Sequence, residues 1–203
     1  MVTRLVLASN NAKKLKELQA LLAPTGVELI AQGSLGIAEA EEPHLTFIEN
    51  ALAKARHAAR ASGLPALADD SGLCVDALGG APGVLSARYA TLFGQPKSDA
   101  DNNRVLLEQM ADHADRRARF VCALVAVRHP DDPEPLIAFG RWQGELLRDY
   151  RGAGGFGYDP LMFIPAFGQT VAELPAEVKN QHSHRALAAA DLLRQMQALW
   201  TLG

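Results

Sequence analysis

Cysteine is nearly absent from the chain, and its absence excludes two whole classes of protein. Cys74 and Cys122 lie far apart in apolar surroundings, which supports neither a disulfide framework nor a zinc-ligand spacing and predicts two buried thiols. An excess of positive charge is also lacking. With 20 basic and 23 acidic residues and a formal charge of −3, there is no broad basic field for gripping long nucleic acid, so any anion must be held by a local cluster of cations. No apolar run approaches the roughly 18 to 20 residues of a membrane span. Met1-Val2-Thr3-Arg4 leads toward a strand rather than a signal peptide, so a cytoplasmic protein with no membrane partner is expected. Gly94-Gln95-Pro96-Lys97-Ser98 lacks the Gly-Lys junction of a Walker A loop, and no repeat, low-complexity segment or linker is present. What remains is ordinary globular composition, 48% hydrophobic and 21% charged over 203 residues, suited to one large domain or two intimately packed lobes.

The stretch Ala68 to Arg88 carries polar residues with no evident structural purpose. Asp69 and Asp70 stand side by side after Pro65-Ala66-Leu67-Ala68, which reads as a strand, and before Ser71-Gly72, which reads as its turn. Neighbouring strand residues point to opposite faces, so the pair shares one site only where the backbone bends, as at a strand end. Paired carboxylates there predict a cation site; a solvated acidic loop is the alternative. Gly79-Gly80-Ala81-Pro82-Gly83 soon follows as a chain reversal.

Leu5 to Ala8 reads as a buried first strand, followed by a helix with Leu15, Leu18, Leu21 and Leu22 on its apolar side. The intervening turn, Ser9-Asn10-Asn11-Ala12-Lys13-Lys14, puts hydroxyl, amide and ammonium groups at a helix N-terminus, where unpaired N–H groups and the dipole favour an anion. Val27 to Ala31 predicts a second strand. Thr46 with Glu49 forms a capping box opening a helix through about Ser62 before Gly63, with Lys54 and Asn50 on one margin of its apolar face. Lys54 either snorkels to water or reaches a neighbouring cleft. Ser98 to Met110 predicts a helix, Arg119 to Val127 a strand, and Leu136 to Leu147 an antiparallel partner weakened at Gly140 and Gly144. Gly152, Gly154 and Gly157 form a literal G-x-G-x-x-G, but Pro160 and an apolar run follow it where a dinucleotide site needs a helix. Thr170 to Glu173 is a second capping box, and Ser183 is expected to cap a final scaffold helix.

Taken in order, these motifs resemble the inosine triphosphate pyrophosphatase-like family, which hydrolyses non-canonical purine nucleoside triphosphates. The resemblance runs end to end. It rests on Ser9-x-Asn11-x-x-Lys14, Thr46-Phe47-Ile48-Glu49-Asn50-Ala51 leading to Lys54, Ala68 to Leu73, Gly79 to Gly83, Ser86 to Tyr89, Gly155 to Pro160, Lys179, and Ser183-His184-Arg185. It implies an α/β fold with a long central mixed β-sheet flanked by helices, two lobes of one domain over residues 1–203 with an active-site cleft between them, and a homodimer. By the same resemblance the turn from Ser9 to Lys14 takes the triphosphate, with Lys54 assisting. Glu42 and Asp70 hold Mg²⁺, for which Mn²⁺ can substitute, and Asp70 is the catalytic base, with Asp69 beside it as a second catalytic carboxylate. Ser71 touches the substrate, Phe156 stacks on the purine, and Gly157, Tyr158, Asp159, Lys179, His184 and Arg185 complete the pocket. Pro43-His44 after Glu42 departs from the glycine that often stands there.

The chemistry of the residues agrees with these roles. Mg²⁺ keeps several waters and is commonly held by one or two carboxylates plus substrate phosphates. Asp70 would activate a water for attack at the α-phosphorus, giving the monophosphate and pyrophosphate with no covalent intermediate. A 6-oxo purine offers an acceptor where adenine offers a donor, so Arg185 and nearby backbone are expected to favour the deaminated bases. A pyrophosphatase for modified pyrimidine triphosphates, a non-catalytic nucleotide sensor and a phosphate-releasing phosphatase are the competing functions.

Overall fold

The computed structural model describes residues 4–200; the Met1–Thr3 segment expected to lead into the first strand lies outside the described residues. Seven strands form one mixed sheet in the order β2-β1-β3-β4-β5-β6-β7: β1 (Arg4–Leu7), β2 (Glu28–Ala31), β3 (Ala66–Val75), β4 (Arg117–Val127), β5 (Leu136–Leu146), β6 (Met162–Ile164) and β7 (Gln169–Thr170). β1 pairs in parallel with both β2 and β3, while β6 pairs antiparallel with β5 and β7. The helices are α1 (Ala12–Leu22), α2 (Phe47–Ser62), α3 (Asp99–Gln109), α4 (Ala176–His182) and α5 (His184–Leu199).

The chain divides into two compact units, the first comprising 1–70, 122–140 and 184–203 and the second 71–121 and 141–183. Each has its own core. In the first, Leu5 and Leu7 of β1, Leu67 of β3 and Cys122, Leu124 and Ala126 of β4 pack with Leu18, Leu22, Leu192, Met196 and Trp200. In the second, Leu73, Val75, Leu106, Met110, Phe120, Trp142, Tyr158 and Met162 pack together. Both cysteines are buried free thiols, as composition predicts.

Local signals set most element ends. Thr46 caps α2 by accepting from the Glu49 N–H at 3.2 Å, and Gly63 closes that helix with φ +68°. The Glu49 carboxylate takes the Thr46 hydroxyl at 2.6 Å. The box at Thr170 and Glu173 is complete, but it opens a single 3₁₀ turn.

One expectation fails. Ser71-Gly72 is no turn, because β3 continues through Val75 and carries both acids in mid-strand. Ser71 is a half-buried strand residue. Turn propensity is a weak local bias, and placement inside the sheet overrides it. The glycines of β5 likewise serve a purpose. A Cβ on Gly140 would collide with the His184 carbonyl and sit 2.8 Å from the Ala188 nitrogen, so the missing side chain admits the first turn of α5.

Candidate active site

The end of β1 runs beside β3, with the Ala8 N–H donating to the Leu67 carbonyl at 2.8 Å, so the turn into α1 emerges two residues short of Asp69 on the neighbouring strand. Asn11 caps α1, its side-chain oxygen accepting from the N–H groups of Lys13 and Lys14, while Ser9 Oγ accepts from the Asn11 N–H at 3.1 Å. The turn is thereby pinned from within. Asn10, Ala12 and Lys13 are exposed along it.

Because β3 runs on past both acids, Asp69 and Asp70 alternate between its two faces, and the chain supplies each with different company. The Asp69 carboxylate is fully enclosed. It accepts from Arg185 Nε at 2.7 Å, Lys14 Nζ at 2.6 Å and the Cys122 thiol at 3.3 Å. Burial alone would raise its pKa, but the charges and hydrogen bonds of Arg185 and Lys14 hold it well below the usual carboxylate range. Asp70 meets Lys54 Nζ at 3.0 Å, and the same ammonium reaches Glu42 at 2.6 Å and the Asp69 backbone carbonyl at 3.0 Å. Burial pushes the Asp70 carboxyl up, and the nearby Glu42 charge adds to this against the pull of Lys54. Lys54 is itself held protonated: the Asp70 and Glu42 charges overcome the burial that would lower its pKa. Adjacent carboxylates with oppositely displaced pKa values are the pattern of one fixed anion and one proton acceptor.

A divalent cation fits here. Asp70 Oδ2 is buried with no hydrogen-bond partner, a bare hard-oxygen acceptor beside the Glu42 carboxylate. Among the described residues no three His, Cys, Asp or Glu side chains form a metal-holding group, and the share on offer beside Lys54 is the two carboxylates of Glu42 and Asp70. That share suits a metal completed by water and phosphate.

The second unit gathers another set of expected residues. Lys179 Nζ donates to Asp159 Oδ2 at 2.9 Å and stands 4.7 Å from the Phe156 ring centroid, and the Phe156 N–H donates to the same Asp159 oxygen at 3.0 Å. A Cβ on Gly155, which has φ +74°, would strike that carboxylate. Tyr158 is buried, its hydroxyl donating to the Ser86 carbonyl at 2.8 Å, and burial raises its pKa so that it stays a neutral donor.

The residues from 5 to 195 match the model of the Ham1 family. The chain belongs to the Ham1 family. The dITP/XTP pyrophosphatase of Leptothrix cholodnii is 68% identical over 98% of this Ham1-family chain and 99% of its own length. The HAM1 protein of Coxiella burnetii is 45% identical with a TM-score of 0.89, over 96% of this chain and 98% of its own. The Staphylococcus aureus Ham1 protein is 38% identical with a TM-score of 0.85 over the same shares.

The first unit also encloses two residues expected in the nucleotide pocket. Arg185, expected at the purine edge, is 2% exposed and commits its guanidinium to Asp69 and Glu17 within the first unit. His184 beside it is buried as well. Two contributors escaped the sequence motifs, and a third, Asn50, stood in one without a stated role. Glu17 and Cys122 touch this cluster from α1 and β4. Asn50, fully buried, accepts from the His44 N–H at 3.0 Å and donates to its carbonyl at 3.2 Å, tying down the loop just after Glu42. For Asn50 a signal existed, since it shares the Lys54 margin of α2; Cys122 sat in an unbroken apolar run that offered none.

Proposed function

We propose that this chain is an enzyme that hydrolyses non-canonical purine nucleoside triphosphates, among them those of inosine and xanthosine and the deoxyinosine form, to the monophosphate and pyrophosphate. The observation that carries this is the split Asp69-Asp70 pair: one carboxylate locked between cations, the other raised, incompletely bonded and beside Lys54. High identity to several proteins named dITP/XTP pyrophosphatase supports the substrate class.

Asp70 accepts the proton of the attacking water, for which its raised pKa suits it. Lys54, anchored at its base in α2, offers its ammonium to the developing phosphate charge, and Lys14 adds a second cation from the α1 turn. Glu42 and Asp70 would hold Mg²⁺, or Mn²⁺ in its place, which when bound supplies further positive charge to the phosphate oxygens. Asp69, itself held by Arg185, fixes Lys14. Phe156 stacks on the base, a contact worth about 1 to 3 kcal/mol and blind to base identity. Discrimination therefore falls to edge groups near Gly157, Asp159 and Lys179.

The protein is further proposed to be one catalytic domain, cytoplasmic and homodimeric, without long nucleic-acid partners. No helix among the described residues is long and apolar enough to cross a membrane.

Phosphorus NMR of inosine triphosphate with the protein and Mg²⁺, beside adenosine and guanosine triphosphates, tests the proposal. Inosine monophosphate and pyrophosphate, with the canonical nucleotides nearly untouched, is the expected result. Orthophosphate with a diphosphate would instead place attack at the terminal phosphate, and binding without turnover would make the chain a nucleotide sensor.

A further inference from the structure

Two side chains of α3 hold the loop from Phe156 to Asp159, and no motif gave either of them a role. Asp99 Oδ2 accepts the Gly157 N–H at 2.8 Å, and Asn103 Nδ2 donates to the Gly157 carbonyl, also at 2.8 Å. The same Asn103 amide reaches the Asp99 carbonyl at 2.9 Å, so the two grips are tied to each other across one helical turn. Both backbone polar groups of one glycine are thus fixed by one rigid element. Gly157 needs the restraint, because it sits at φ +59° with no atom within 4 Å of where a Cβ would stand. Asn103 is 3% exposed, which keeps water from replacing its bonds.

We propose that Asp99 and Asn103 are positioning residues for base recognition, setting where the Phe156 ring and the Asp159 carboxylate stand. The proposal rests on the assignment of this loop to the base. Stacking tolerates small displacements, whereas hydrogen bonds to a purine edge do not, so a loosened Gly157 costs selectivity more than it costs stacking. The groups assigned to water activation belong to the other unit and make none of these contacts. The loss therefore falls on KM and on base choice rather than on kcat.

Steady-state kinetics on inosine and adenosine triphosphates, using Asp99→Ala, Asp99→Asn, Asn103→Leu and Phe156→Ala, test this. Asp99→Ala and Asn103→Leu should each raise KM for inosine triphosphate about tenfold, the worth of one well-made hydrogen bond, and narrow the inosine-to-adenosine ratio of kcat/KM. Their kcat should stay within about threefold. Asp99→Asn keeps an acceptor oxygen for the Gly157 N–H and should restore KM and selectivity. Unmoved KM and ratio in Asp99→Ala, with a raised KM in Phe156→Ala, would overturn the positioning role and leave the base assignment standing. Unmoved KM in Phe156→Ala would remove the base assignment, and the positioning role with it. Should Asn103→Leu fail to fold, the exposed Asp99 pair decides alone.

Discussion

Asp69→Asn and Asp70→Asn change neighbouring residues by the same single atom, yet should fail in opposite ways. Asp69 is a carboxylate that Arg185 Nε and Lys14 Nζ share, at 2.7 and 2.6 Å, and its side chain is completely buried. An amide there leaves a buried guanidinium facing a neutral group and an N–H₂ where an acceptor is needed. Breaking a buried pair from one side costs about 3 to 5 kcal/mol. Glu17 still balances part of the Arg185 charge, so the lower end applies. For a chain of this size about 3 kcal/mol lowers Tm by roughly 6 to 12 °C. Asp70 is different, because burial already disfavours its charge and Lys54 retains Glu42 and the Asp69 carbonyl when Asp70 is neutralised. Asp70→Asn should change stability by less than about 1 kcal/mol while reducing turnover at least ~10²-fold, the lower range for a lost general base. The assay is urea unfolding at several pH values, paired with pyrophosphate release. The sign of the pH effect follows from the depressed Asp69 pKa. Its stabilisation is complete above the ordinary carboxylate value of 3.8 and is lost as pH falls through the lower folded value. The gap between wild type and Asp69→Asn should therefore be flat from pH 7 to about 4 and close below that. A stability loss under about 1 kcal/mol for Asp69→Asn, or an equal loss in both variants, would refute the division of labour.

Lys54→Met should lower kcat/KM at least ~10²-fold and move the acidic limb of the rate profile to higher pH, because the ammonium is what restrains the raised Asp70 pKa; a pH–rate series checks both. Asp132→Ala should cost about 2 to 4 kcal/mol in urea unfolding with activity unchanged below the transition. That buried carboxylate takes two bonds from the Arg128 guanidinium and the backbone N–H groups of Arg128 and Glu134, and they hold its pKa far below the usual range. Gly140→Ala should destabilise by about 1 to 3 kcal/mol, read as a fall in Tm, since the new methyl meets backbone of α5 that cannot rotate away.

The sequence by itself determined several features that depend on neighbours along the chain. The α2 boundaries at Thr46 and Gly63, the Asn11 turn feeding α1 and the buried thiols were legible because caps and apolar spacing are local signals, whereas the grouping of Phe156, Asp159 and Lys179 was implied only by the family resemblance. The same locality misled at Ser71-Gly72, where turn chemistry was real but weaker than the demand of a ten-residue strand lying between β1 and β4. Only the tertiary structure decided which partners surround each acid. Asp69 meets Arg185 from 116 positions along the chain and Lys14 from 55, and Asn103 meets Gly157 from 54. Those distances in sequence hide the partners that set a buried group's charge and position. Two adjacent aspartates are identical on paper, and they differ because alternation along a continuous strand hands one to a pair of cations and the other to a lysine shared with Glu42.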